Sequence, residues 1–186
     1  IPLGVTALDL VDSADDLEGV RMLILSYDCM KPKNEQVNHA IAQWVKDGGV
    51  LLYVGGHDDF ETIEDEWWQQ DYGMTPLEHL LSELGLNITV GQLGGLSELA
   101  WTGEEGYCTS FDGKILMNGL DAYTATFTGS GYTSILEASG DCVGLTAKAG
   151  QGRVILLGTS SPIFTAYEDS PAMMREITEY ACRYTG

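Results

Sequence analysis

The sequence predicts an α/β domain with a mainly parallel sheet and a β-rich insertion, and three observations carry that prediction. Two apolar runs without alternation, 20–27 (VRMLILSY) and Val50–Val54 (VLLYV), flank a segment of helical periodicity. Such runs mark strands buried on both faces. The last part of the chain holds a further buried run, 153–157 (RVILL), and a closing helical pattern, while 91–131 between them is rich in Gly, Thr and Ser and has no helical period. A sheet core built from both ends of the chain and covered by helices is a flavodoxin-like three-layer sandwich.

The elements follow in order. After the first run comes KPKNEQVNHAIAQWVKDGG, where Val37, Ile41, Trp44 and Val45 share one helical stripe and Gly48-Gly49 supplies the stop. Strand, helix and strand within about 35 residues form a βαβ unit, whose crossover is expected to be right-handed. An irregular acidic and aromatic stretch, 58–73, precedes a marked helix start: Thr75 as N-cap, Pro76 at the first position and Glu78 completing a capping box. Leu77, Leu80, Leu81 and Leu84 line one face of that helix, and Gly85 ends it. A short strand is expected at 87–90, then loops with short strands around 114–117 and 123–127. Segments 133–138, 142–147 and 153–157 alternate with Gly-containing turns at Ser139-Gly140-Asp141 and 149–152, which predicts antiparallel pairing. Ser170 as N-cap and Pro171 open the last helix, with Met174, Ile177, Ala181 and Tyr184 on one face.

At 186 residues the chain is read as one domain, 1–186, with no internal repeat. A chain of this length buries roughly 70% of its unfolded surface. It begins at Ile1, with no initiator Met, and the expectation is a domain excised from a larger polypeptide. No apolar run approaches the about 18 residues of a membrane helix, so no membrane insertion is expected. The net charge is −19 with nine Lys and Arg, which argues against nucleic acid as a partner, because phosphate binding needs cationic side chains to displace counterions. The acidic residues are spread through 9–18, 58–66 and 98–105. They read either as a solvated surface or as a site for a cation or a basic partner. Cys29, Cys108, Cys142 and Cys182 form no CxxC pair and fit no zinc knuckle, so no metal or other cofactor is expected. Cys182 reads as a small buried apolar residue, and a Cys108–Cys142 bridge would require a secreted protein.

Two stretches resemble a known superfamily. The run AQWVKDGGVLLYVGGHDDF, 42–60, resembles the helix–strand–turn of class I glutamine amidotransferase-like proteins, and AGQGRVILLGTSSPIF, 149–164, resembles their penultimate strand and loop. The pattern is similar also to the amidotransferase-like trimerisation domains that follow the barrel of some bacterial β-galactosidases. In working amidotransferases the strand matching Val50–Val54 runs into a G-x-C-x-G nucleophile elbow. Laid on LLYVGGHDD, the elbow's last glycine matches Gly56 and the cysteine position falls on Val54. The family's histidine and glutamate follow the later strand, where this chain reads Thr159-Ser160-Ser161-Pro162. Valine offers neither a lone pair to attack a carbonyl nor a proton for a base to remove. The resemblance therefore implies the fold without the amide chemistry, and no catalytic residue is assigned.

Open parallel sheets bind ligands beyond the C-terminal ends of their strands. The candidate ligand-binding residues are accordingly Asp28 and Cys29 after the first strand, Gly55, Gly56, His57, Asp58 and Asp59 after the second, and Thr159 and Ser160 after the late one. His57, Asp58, Asp59 and Asp28 suit a divalent cation or the hydroxyls of a sugar. Equally, Asp58 and Asp59 cap the following turn while His57 satisfies a backbone group. A nucleophilic Cys29 needs a cationic or basic neighbour, and Asp28 beside it works in the opposite direction. Phe60, Trp67, Trp68 and Tyr72 suit stacking on sugar rings or docking on a neighbouring domain, or else pin their own loop to the sheet. Asn87-Ile88-Thr89 fits the N-glycosylation pattern on an expected strand.

Three functions follow as expectations. The first is a non-catalytic interaction or oligomerisation scaffold, partnered by flanking domains of the same polypeptide or by further copies of itself. What the resemblance implies for such a scaffold is a larger carbohydrate-active bacterial protein, outside the cell or on its surface rather than in the cytoplasm. The second is a small-molecule or sugar-binding module at the strand-end crevice. The third is a hydrolase with a relocated nucleophile, Cys29 or Ser160.

Overall fold

The computed structural model of the protein describes residues 11, 13–26, 35–55, 76–94, 97–116, 124–163 and 169–186. Their elements, in order, are β1 (Met22–Ser26), α1 (Glu35–Lys46), β2 (Val50–Val54), α2 (Pro76–Glu83), β3 (Asn87–Leu93), β4 (Ser97–Trp101), β5 (Ile115–Leu116), β6 (Thr124–Ser130), β7 (Thr133–Ala138), β8 (Asp141–Ala149), β9 (Gly152–Leu157) and α3 (Ser170–Cys182). Short 3₁₀ turns lie at Ala14–Leu17 and Thr109–Phe111.

Seven strands form one sheet in the order β1-β2-β9-β8-β7-β4-β5, and β3 pairs with β6 in a separate ribbon. β2 is parallel to β1 on one side and to β9 on the other, with Leu52 between Ile24 and Ile155. Strands from the two ends of the chain thus meet at the sheet's parallel part. Because the sheet is covered on both faces, β2 and β9 lose the usual alternation. Leu51, Tyr53, Val154 and Leu156 enter one core with α1 and α2, while Val50, Leu52, Val54, Ile155 and Leu157 enter the other with α3. The ribbon joins the first core through Ile88, Ala125 and Phe127, and Phe111 of the second 3₁₀ turn joins the other.

Several expectations need correction. The sheet is mixed rather than mainly parallel: β9–β8, β8–β7, β7–β4 and β4–β5 are all antiparallel. The reason is local. Ser139 and Gly140 join β7 to β8, both with positive φ (55° and 86°). That is the conformation that turns a strand back on its neighbour with the twist of the sheet. The β-rich insertion accordingly extends the main sheet, and only β3 and β6 stand apart from it. β4 appears where only loops were expected. β1 is not buried on both faces: Leu23 and Leu25 are buried, but Ile24 is 38% exposed, and among the described residues β1 stands at the end of the sheet.

The helices match their periodicities closely. Ile41, Trp44 and Val45 of α1 and Leu77, Leu80 and Leu81 of α2 are buried, with Val37 packed at the margin. Thr75 lies outside the described residues, and the Glu78 carboxylate accepts from the Val90 N–H at 3.1 Å, tying α2 to β3. In α3 the buried face is Met173, Ile177, Tyr180 and Ala181, with Met174 and Tyr184 partly covered. Asp169, not Ser170, is the N-cap residue of α3. The Ser170 hydroxyl donates to the Ser161 carbonyl at 2.6 Å.

One junction fixes α1 on the sheet. The Gln151 N–H donates to the Lys46 carbonyl (2.8 Å) and the Arg153 N–H to the Gly49 carbonyl (3.1 Å). A Cβ at Gly152 would lie 2.0 Å from the Val45 carbonyl oxygen and 2.2 Å from that of Gly49, so only glycine allows the approach. Gly152→Ala is expected to lower the unfolding free energy by about 1–3 kcal/mol. Gly94→Ala, whose Cβ meets nothing within 4 Å, should stay within about 0.5 kcal/mol. Urea titration of the two variants beside the parent protein checks both.

Candidate functional site

The expected crevice begins where β2 and β9 end together, at the pair Val54 and Leu157. Val54 is fully buried, paired with Ser26 on its other side, and sits in the core beneath α3. The backbone does not bend outward after it: the Gly55 N–H donates to the Leu157 carbonyl at 3.0 Å, continuing the ladder one residue further. A nucleophile elbow needs the opposite arrangement, a sharp turn that lifts its side chain out of the sheet.

On the β9 side the chain is held from above. The Gly158 N–H donates to the Val143 carbonyl (2.8 Å), and the Gly158 carbonyl accepts from the Ala125 N–H (2.7 Å) at the start of β6. A Cβ on Gly158 would stand 2.2 Å from the Ala125 carbonyl oxygen. The ribbon therefore crosses the sheet at the mouth of the crevice. Beyond it, Thr159 and Ser160 are buried, 3% and 8% exposed. The Thr159 hydroxyl lies 2.9 Å from that of Ser161 and accepts from the Ser161 N–H at 3.2 Å. The Ser160 carbonyl accepts from Ile163 N–H at 2.9 Å. These are the bonds of a Ser/Thr turn, and with the Ser170 bond they stitch the loop to the start of α3.

Of the candidate residues, the structure brings together Gly55, Thr159 and Ser160 at the ends of two neighbouring strands. Asp28, Cys29, Gly56, His57, Asp58 and Asp59, and the aromatic group Phe60, Trp67, Trp68 and Tyr72, lie outside the described residues. Among the described residues no group of three His, Cys, Asp or Glu side chains is arranged to hold a metal ion. Among the described residues no helix is long and apolar enough to cross a membrane.

Cys108, Cys142 and Cys182 are all free thiols, so Cys108 and Cys142 are not bridged. Burial, assisted by Glu176 and Asp112, pushes the Cys108 thiol up to about 12. Burial also raises Cys142, whose Sγ donates to the Gly144 carbonyl at 3.3 Å, and raises Cys182. None is shifted toward the thiolate that nucleophilic attack requires.

Sequence reasoning missed two features. His39 and His79 line a cleft of about 590 Å³ with Ser13, Glu35 and Glu83 on the α1–α2 side. His39 Nδ1 meets the Glu83 carboxylate at 3.1 Å, and His79 Nδ1 meets Asn38 Nδ2 at 3.1 Å. Each contact ties α1 to α2, a link that no local periodicity reveals. The second feature is an aromatic and arginine clasp at the end of α3. Arg183 pairs with Glu104 at 2.6 Å and lies 4.6 Å from the Tyr107 ring centre, while Arg153 lies 4.1 Å from that of Tyr184. Tyr180 packs edge-on against Trp101, Tyr107 and Tyr184.

No family model matches the chain, and no curated protein matches it. Solved structures share its fold. A cytoplasmic protein of Salmonella typhimurium LT2, STM1381, is 16% identical with a TM-score of 0.64, over 93% of this chain and 76% of that one. The mmIFT52 N-terminal domain is 14% identical with a TM-score of 0.59, over 94% of this chain and 82% of that one. A β-galactosidase of Rahnella sp. R3 is 15% identical with a TM-score of 0.53, over 91% of this chain but 24% of that one. At these identities the likeness is one of fold: a mixed α/β domain that also occurs as about a quarter of a β-galactosidase chain.

Proposed function

We propose that the protein is a non-catalytic amidotransferase-like domain, a flavodoxin-like sandwich that serves as an interaction or oligomerisation scaffold in a larger carbohydrate-active protein. The burial of Val54 carries the reading. The position that would bear a nucleophile holds an aliphatic side chain sealed inside the sheet, and the strand continues through it. The loop opposite, where a base would stand, spends its hydroxyls on its own turn. Among the described residues, His39 and His79 are engaged between α1 and α2 and neither stands by Ser160 as a base. The fold shared with a quarter of the Rahnella β-galactosidase supports a carbohydrate-active parent, and with it an extracellular or cell-surface setting. The cytoplasmic Salmonella protein, of which the chain covers 76%, supports the competing view of a free-standing protein.

A second reading rests on the convergence of Gly55, Thr159 and Ser160 at the crevice mouth: a module binding a sugar or another small polar molecule there. A thermal-shift screen against sugars and divalent cations separates the two, since the scaffold reading expects no stabilisation at millimolar concentration.

Glutamine incubated with the protein should release no ammonia, and Val54→Cys should not restore the reaction, because a thiol placed there gains no base. Gel filtration with light scattering should give a mass above that of one chain, alone or with flanking domains. Glutamine hydrolysis by the parent protein would overturn the inert reading. Cys108 provides an independent check on the thiols: in the native protein at pH 8 it should resist alkylation, mapped by mass spectrometry, and react once the protein is unfolded. Its pKa rises on folding from 9.0 to about 12, so the stability it contributes is whole below pH 9 and is lost as pH climbs toward 12. Cys108→Ala should flatten the alkaline fall of the denaturation midpoint without removing it, since Cys142 and Cys182 are raised too.

A further inference from the structure

We draw no further inference here: the strongest candidate, the cleft beside α1 and α2 that His39, His79, Glu35 and Glu83 line, carries nothing because its two imidazoles already tie one helix to the other and nothing in the structure shows what would fill it.

Discussion

The parallel ladder between β2 and β9 joins the two halves of the chain, and both of its strands lie in a dry interior. Val50 to Val54 and Val154 to Leu157 are all fully buried. Backbone amides and carbonyls at such depth must be bonded or they cost free energy on the order of a lost hydrogen bond each. The ladder satisfies them only in one register, because a one-residue slip would exchange the side chains of the two cores. Leu51 and Tyr53 would then face α3, and Val50, Leu52 and Val54 would face α1. The sheet order, the placing of both helical layers and the mouth of the crevice all follow from that register.

The same constraint bears on chemistry. A strand that ends in a reactive turn has to leave its ladder early and expose a side chain, which sacrifices burial and hydrogen bonds for activity. Here the ladder runs through Val54 to Gly55, and Gly158 is bonded to Val143 of β8 and to Ala125 of β6. The strand end is thereby spent on packing. The Thr159 and Ser161 hydroxyls close a local turn. This arrangement stabilises the fold and leaves little at these described positions to polarise a substrate.

Much of the fold was legible where one element covers a whole turn or face. The stripes in α1 and α2 were readable because a buried helix face needs apolar residues at fixed spacing, and Ser139-Gly140 was readable because positive φ there favours such residues. β4 was not, although SELAW alternates with Ser97 and Leu99 buried. Five residues amid glycines carry too little periodicity to separate from loop. The position of β1 was invisible for a different reason: MLILS has the composition of a central strand, and only strand order sets it at the end of the sheet among the described residues. Of the site, Thr159 and Ser160 follow the end of β9, and their bonds run to Ser161 and Ile163 of their own loop. The contacts between α1 and α2 and the clasp around Arg183 depend on residues far apart in sequence, which local patterns do not connect.

Charge limits the partners this surface can accept. The chain has nine Lys and Arg against 28 Asp and Glu, and several of the cations are already committed internally. Arg183 faces Glu104, Lys114 faces Asp169 at 2.5 Å, and Arg153 donates to Thr146 while lying over Tyr184. Guanidinium groups held between rings and a carboxylate are poor anchors for a phosphate or an acidic peptide, since binding would first have to break those contacts. A partner must then be basic, or must meet the protein through a neutral strip where backbone groups and apolar side chains supply the attraction. For the second kind of contact, salt works in the favourable direction: screening over a Debye length of about 8 Å at physiological ionic strength weakens the repulsion between acidic flanks. Salt dependence therefore distinguishes the two, because screening weakens a basic partner's grip while it strengthens association through a neutral edge.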